Sequence, residues 1–123
     1  MITILVIEDS PLVRENISIL LEKEGYKVIS AFDGKSGVEL ALTEIPNLIL
    51  CDIQMPELNG YMVLHKIRNN VKTFDIPFLF ITANADNSSR QIGMNMGADG
   101  YVLKPFERWE LIEQVHRCLN NFK

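Results

Sequence analysis

The strongest constraint on the fold of this chain is an alternation that runs its whole length. Short apolar runs, ITILVI at 2–7, LILC at 48–51, PFLFI at 77–81 and YVL at 101–103, with a weaker one, YKVISA, at 26–31, are separated by amphipathic stretches. A strand buried on both faces reads as a continuous apolar run, and it can be buried that way only if helices cover both sides of its sheet. The pattern therefore predicts five strands alternating with five helices, a doubly wound α/β domain around a parallel sheet. With the flavodoxin-like strand order 2-1-3-4-5, the order expected here, strand 1 is central and its carboxyl end borders the switch point.

Local signals place the helices. Ser10 is an N-cap with Pro11 at the first helical position, Val13, Ile17, Leu20 and Leu21 form a core stripe, and Gly25 ends that helix. The second helix carries Val38, Ala41, Leu42 and Ile45 inward and stops at Pro46; the third carries Leu64, Ile67 and Val71. The fourth, from about Asn87 to Met96, is the weakest, with only Ile92 and Met96 as an i, i+4 pair and Gly93 inside it at a cost of about 1 kcal/mol against Ala. The last helix turns Leu111, Ile112, Val115, Cys118, Leu119 and Phe122 inward and begins at an exposed Trp109.

A chain of 123 residues holds one such domain, so residues 1–123 form a single unit. The net charge of -4, with no dense Lys/Arg run, argues against direct binding of nucleic acid by this chain. Nothing approaches the roughly 18 uninterrupted apolar residues of a membrane span. Cys51 and Cys118 fall at core positions, as small buried hydrophobes in a reducing compartment, and the expected location is the cytoplasm.

Four of the apolar runs end in different polar groups: Glu8-Asp9, Asp52, Thr82 and Lys104. In a parallel sheet these ends share one edge, where open α/β sheets bind their ligands. Two carboxylates about 4 Å apart repel by a few kcal/mol at an effective dielectric near 20. A hard divalent cation offsets that repulsion, and Mg2+, with Mn2+ as a substitute, accepts one or two carboxylates while leaving positions for phosphate oxygens. For Glu8-Asp9 alone, capping the following helix is the simpler role; the coincidence with Asp52, Thr82 and Lys104 favours the metal. Asp52, at the end of a buried run, suits a nucleophile toward phosphorus, with Lys104 as counter-cation, Thr82 as hydroxyl donor and the small Ala83 leaving room.

The phrases VIEDS at 6–10, CDIQMPELNG at 51–60, ITANA at 81–85 and GADGYVLKPF at 97–106 resemble, in order and spacing, the receiver domain of two-component response regulators over essentially the whole chain. The resemblance implies that Asp52 accepts a phosphoryl group from a histidine kinase or phosphotransfer protein. Asp9, Asp52 and the backbone carbonyl of Gln54 would hold Mg2+, with Glu8 acting through water. It further implies a cis Lys104–Pro105 bond, Thr82 and Tyr101 as a switch pair, and Gln54 and Asn84 as positions that tune the lifetime of the phosphorylated state. The face made by the fourth helix, fifth strand and last helix would then meet an output protein or domain, or form a homodimer. Such a domain catalyses only its own phosphorylation and dephosphorylation, so it is not expected to be an enzyme in the ordinary sense.

Three other readings compete. A haloacid-dehalogenase-like phosphatase needs a second Asp where Gln54 stands, and a flavodoxin-like cofactor binder would place a Ser/Thr/Gly-rich loop where Glu8-Asp9 would repel a phosphate. The third is a degenerate receiver acting as a phosphorylation-independent interaction module, which the intact acid, Thr and Lys set disfavours. His65 and His116 lie on helices in a chain that is not all helical, and are read as packed or solvated rather than as phosphoacceptors.

Overall fold

The computed structural model describes residues 1–83 and 86–120. Its elements are β1 (Thr3–Ile7), α1 (Pro11–Lys23), β2 (Lys27–Ala31), α2 (Gly34–Glu44), β3 (Leu48–Asp52), α3 (Gly60–Arg68), β4 (Phe78–Thr82), α4 (Asn87–Asn95), β5 (Gly100–Leu103) and α5 (Arg108–Asn120). The strands form one parallel sheet in the order β2-β1-β3-β4-β5. The expected topology is the observed one, and β3 coincides with the LILCD run.

Strand residues alternate between two cores, as the twofold period of a strand requires. Ile4, Val6, Leu48, Leu50, Leu79, Ile81 and Val102 pack with Ile17 and Leu21 of α1 and Leu111, Val115 and Cys118 of α5. Leu5, Ile7, Ile49, Cys51, Phe78, Phe80 and Tyr101 pack on the other side with Ala41 of α2 and Val63, Leu64 and Ile67 of α3. All residues of β3 and β4 are buried, which is why those runs show no polar alternation.

Capping follows the local sequence. The Ser10 hydroxyl accepts from the Val13 N–H, Asp33 accepts from Ser36 N–H at 2.8 Å, Asn59 from Met62 N–H at 3.0 Å and Asp86 from Ser88 N–H at 3.1 Å. Arg68, at the end of α3, donates to the Ile76 and Gly97 carbonyls at 2.7 and 2.9 Å and to Asp99 at 3.2 Å. Asp99 also accepts from Phe78 N–H, so this pair ties α3 to the starts of both β4 and β5.

Three expected core positions are corrected. Ile45 is exposed because Pro46 disfavours helical geometry in the preceding residue, and Ile45 turns out with φ 45°. Val71 is exposed because α3 ends at Arg68 with Asn69 as its cap, three residues short of it. Ile92 is also exposed; α4 meets the sheet through Gly93 and the partly buried Met96. Phe122 lies outside the described residues.

Candidate functional site

The polar ends of the strands meet at the carboxyl edge of the sheet. Glu8 and Asp52 follow the pleat of the α1/α5 side, and Lys104 continues that side from β5. Asp52 is 5% exposed and Glu8 is wholly buried. The Lys104 ammonium donates to Glu8 Oε1 at 2.8 Å and to Asp52 Oδ2 at 3.2 Å, closing a three-residue ion cluster across β1, β3 and β5. Burial by itself would lower the Lys104 pKa, but the hydrogen bond it donates to Glu8 and the charges of Asp52 and Glu8 raise it above its ordinary value.

Glu8 therefore has more than one role. Its second oxygen accepts from Ser10 N–H at 3.1 Å, so the capping assignment holds for this residue while its first oxygen faces Lys104. Arg14 of α1 donates to the Glu8 carbonyl at 2.7 Å and secures the turn that presents Asp9. Asp9 is exposed at the mouth of the site, and burial, followed by a hydrogen bond and repulsion from Glu8, pushes its pKa up.

Carboxylate oxygens of Glu8, Asp9 and Asp52 lie within 4.8 Å of one another. Three hard oxygen donors gathered in this way, one of them exposed, fit a Mg2+-type cation that keeps several waters. The Gln54 N–H donates to Asp52 Oδ1 at 3.3 Å, which folds the Gln54 backbone back beside the carboxylate. The return of the chain at Gly60 fixes that loop. Its N–H donates to the Ile53 carbonyl at 2.8 Å, and a Cβ there would stand 2.5 Å from the Asp52 carbonyl oxygen and 2.7 Å from Ile53 Cα.

Thr82 ends β4 beside this cluster, 1% exposed, on the opposite pleat from Asp52. A crevice of 520 Å3 opens there between Thr82, Gln54, Met55, Asn59 and Tyr61. Tyr101, opposite Phe80 in the β4–β5 register, is buried with its ring 5.4 Å from that of Phe80. The Lys104–Pro105 peptide is cis, as the sequence resemblance implied. Asn84 lies outside the described residues.

Sequence reading missed the Glu8–Lys104 pairing, which needs the register of strands β1 and β5 with two strands between them. It also missed Tyr61, whose only signal was an aromatic directly after the Gly60 turn, and the contact made by Gly93, which has no side chain for a periodicity to register.

A parallel five-stranded sheet with an acidic cluster, a hydroxyl and a lysine at its carboxyl edge is the arrangement of a receiver-type domain. The chain belongs to the response regulator receiver domain family, which it matches over residues 4–116. It is 38% identical over 116 residues to the DNA-binding dual master transcriptional regulator RpaA of a Synechocystis species, covering 94% of this chain and 48% of that protein. Response regulator ArlR of Staphylococcus saprophyticus is 38% identical over 119 residues, 97% of this chain and 53% of the relative. The chain thus spans about half the length of these relatives. Among solved structures, chemotaxis protein CheY4 of Vibrio cholerae superposes with a TM-score of 0.92 at 28% identity, covering 97% of this chain and 99% of that one. The receiver domain of sensor histidine kinase PA1611 of Pseudomonas aeruginosa, solved with a magnesium ion coordinated in its active-site cleft, gives 0.88 at 32% identity, with 96% and 97% coverage. The chain is therefore a receiver domain of the two-component signalling type.

Proposed function

We propose that Asp52 accepts a phosphoryl group from a histidine kinase or phosphotransfer protein and that the resulting change in charge controls an output partner. The observation that carries this reading is the ammonium of Lys104 held 3.2 Å from a nearly buried Asp52 carboxylate, beside two further carboxylates. In the transfer, an Asp52 carboxylate oxygen bonds to phosphorus as the bond from phosphorus to the donor imidazole nitrogen breaks, and the imidazole leaves with the electron pair. Lys104 is placed to neutralise charge on the transferring oxygens, and the Thr82 hydroxyl to donate to one of them. Asp9, Asp52 and the Gln54 backbone would hold Mg2+, which when bound supplies charge stabilisation to the phosphoryl oxygens. Glu8, engaged by Lys104 and Ser10, is assigned to positioning the lysine and contacts the ion through water.

The phosphoryl group adds roughly -1.5 to -2 charges at the sheet edge. Drawing Lys104 and Thr82 toward it alters the surface formed by α4, β5 and α5, which is the face proposed to meet the output partner or a second copy of the chain. The domain's only catalysis is its own phosphorylation and dephosphorylation. Incubation with acetyl phosphate and Mg2+ should give a labile phosphoryl adduct by intact mass. No adduct on the wild type, or an undiminished adduct on Asp52→Asn, would overturn the assignment and favour a phosphorylation-independent interaction module.

A further inference from the structure

The buried ring of Tyr101 sits in a site shaped by three residues outside the acidic cluster. Gly93 of α4 faces the Tyr101 hydroxyl so closely that a Cβ at position 93 would overlap it, and would also stand 2.9 Å from Phe80 Cε2. Tyr61 of α3 hydrogen-bonds the same hydroxyl. Phe80 lies between the two tyrosines, edge-on to Tyr61 at 5.5 Å and tilted to Tyr101 at 5.4 Å. On the outer side, the Arg90 guanidinium covers the Tyr101 ring at 5.7 Å from its centroid. Glycine is the poorest helix former after proline, so its presence at a buried position in the middle of α4 calls for a packing reason, and the Tyr101 hydroxyl supplies it.

We infer that Gly93, with Tyr61 and Arg90, forms a receptacle that holds the Tyr101 ring inward without phosphorylation, so that residue 93 sets the balance between inward and outward Tyr101. Tyr61 links that balance to the site, because it also lines the crevice shared with Thr82 and Gln54. A ring seated in this receptacle fills the gap between α4 and β4; a ring expelled from it must pass to the outer surface of β5. The environment of the hydroxyl agrees: burial first, then the charge and hydrogen bond of Tyr61, push its pKa up to about 12, even with Arg90 opposing. Whether the balance transmits a signal rests on the phosphoryl-driven change proposed above, with Thr82 and Tyr101 as the switch pair that the sequence resemblance implies, whereas the receptacle does not.

The test is fluorine NMR on unphosphorylated protein carrying 3-fluorotyrosine, with the Tyr101 resonance assigned by Tyr101→Phe. Wild type should show Tyr101 as a protected resonance. In Gly93→Ala the inward population should fall roughly tenfold or more, the range that overpacking penalties give, and the resonance should move to a solvent-exposed position. Tyr61→Phe should shift the balance the same way by a smaller factor. An unchanged, protected Tyr101 resonance in a folded Gly93→Ala variant overturns the receptacle. If Gly93→Ala does not fold, the Tyr101→Ala background decides: there the alanine should be tolerated, and a loss as large as in wild type overturns the inference. Beryllofluoride then separates the two proposals. A Gly93→Ala variant with Tyr101 expelled but a wild-type beryllofluoride response in α4 and β5 leaves the receptacle standing and removes the switch role of Tyr101.

Discussion

Neutralising Asp9 should stabilise the metal-free protein while abolishing its response to Mg2+. The carboxylate oxygens of Glu8, Asp9 and Asp52 lie within 4.8 Å of one another. At that separation a pair of charges repels by about 0.9 kcal/mol in water and about 3.5 kcal/mol at an effective dielectric of 20. Asp9 is exposed, which places its interactions near the lower figure, and the Lys104 ammonium offsets part of them. Asp9→Asn should therefore gain about 1 kcal/mol, or about 3–6 °C in Tm for a domain of this size. The wild type should recover more than this with Mg2+, since a ligand at 100 times its Kd adds about 2.7 kcal/mol, and the variant should not. The pH dependence has a defined sign. The Asp9 carboxyl has a folded pKa above its ordinary value of 3.8, so the penalty is absent in acid below that value, grows as pH rises through the folded pKa, and is complete above it. Differential scanning calorimetry in EDTA and in Mg2+, from acid to neutral pH, reads all of this. A variant no more stable than wild type in EDTA at neutral pH, or one that gains equally from Mg2+, would refute the reasoning.

Removing the lysine should act in the opposite direction. Lys104→Met leaves Glu8 buried opposite no cation, and breaking a pair of this kind costs about 2–3 kcal/mol once the lysine's partial exposure is allowed for; urea denaturation without metal measures it, and a loss under about 0.5 kcal/mol would contradict the ion cluster. Because the folded pKa of Lys104 lies above its ordinary 10.5, the pair's contribution is complete below that value and disappears only as pH rises through the folded pKa. Ultraviolet titration should show one of the three tyrosines, Tyr101, ionising late, at about 12, and Tyr101→Phe should delete that step. Both cysteines are buried with thiols pushed up by burial, Cys118 to about 11, so neither should react with a disulfide reagent at pH 8 until the protein unfolds.

Much of the site was legible because strand ends are easy to read in a parallel sheet. Asp52, Thr82 and Lys104 each follow an unbroken apolar run, and a common edge follows from the topology. Legibility failed where the pattern had no side chain or no local boundary to record. An i, i+4 scan extends a helical stripe past its true end, so it took in Ile45 and Val71, although Pro46 and the Asn69 cap had stopped the helices. It scored Ile92 because Ile is apolar and ignored Gly93, whereas the close packing of Tyr101 uses the glycine. Glu8 was read as a metal residue or a cap; its partner, 96 residues away, emerges only when the strands are ordered.

The twofold period of the strands also sets the proposed phosphoacceptor site and the Tyr101 receptacle on opposite pleats of the sheet. Glu8, Asp52 and Lys104 are an even number of residues beyond Val6, Leu50 and Val102, which face α1 and α5, and their bonds close on that side of the pleat. Thr82 and Tyr101 share the parity of Phe80, which faces α3 and α4. A change in charge at Asp52 must therefore cross the sheet to reach the Tyr101 receptacle, and Thr82 is placed for this: it follows Ile81, the register partner of Asp52, and lines the crevice with Tyr61 on the pleat of Phe80. Replacing its hydroxyl by a methyl group, as in Thr82→Val, preserves the β-branched shape and the parity while removing the donor. Thr82 is thus proposed to couple the two faces by donating to the phosphoryl group from the far pleat, while Lys104 and the carboxylates that would hold the metal lie on the side where the charge appears.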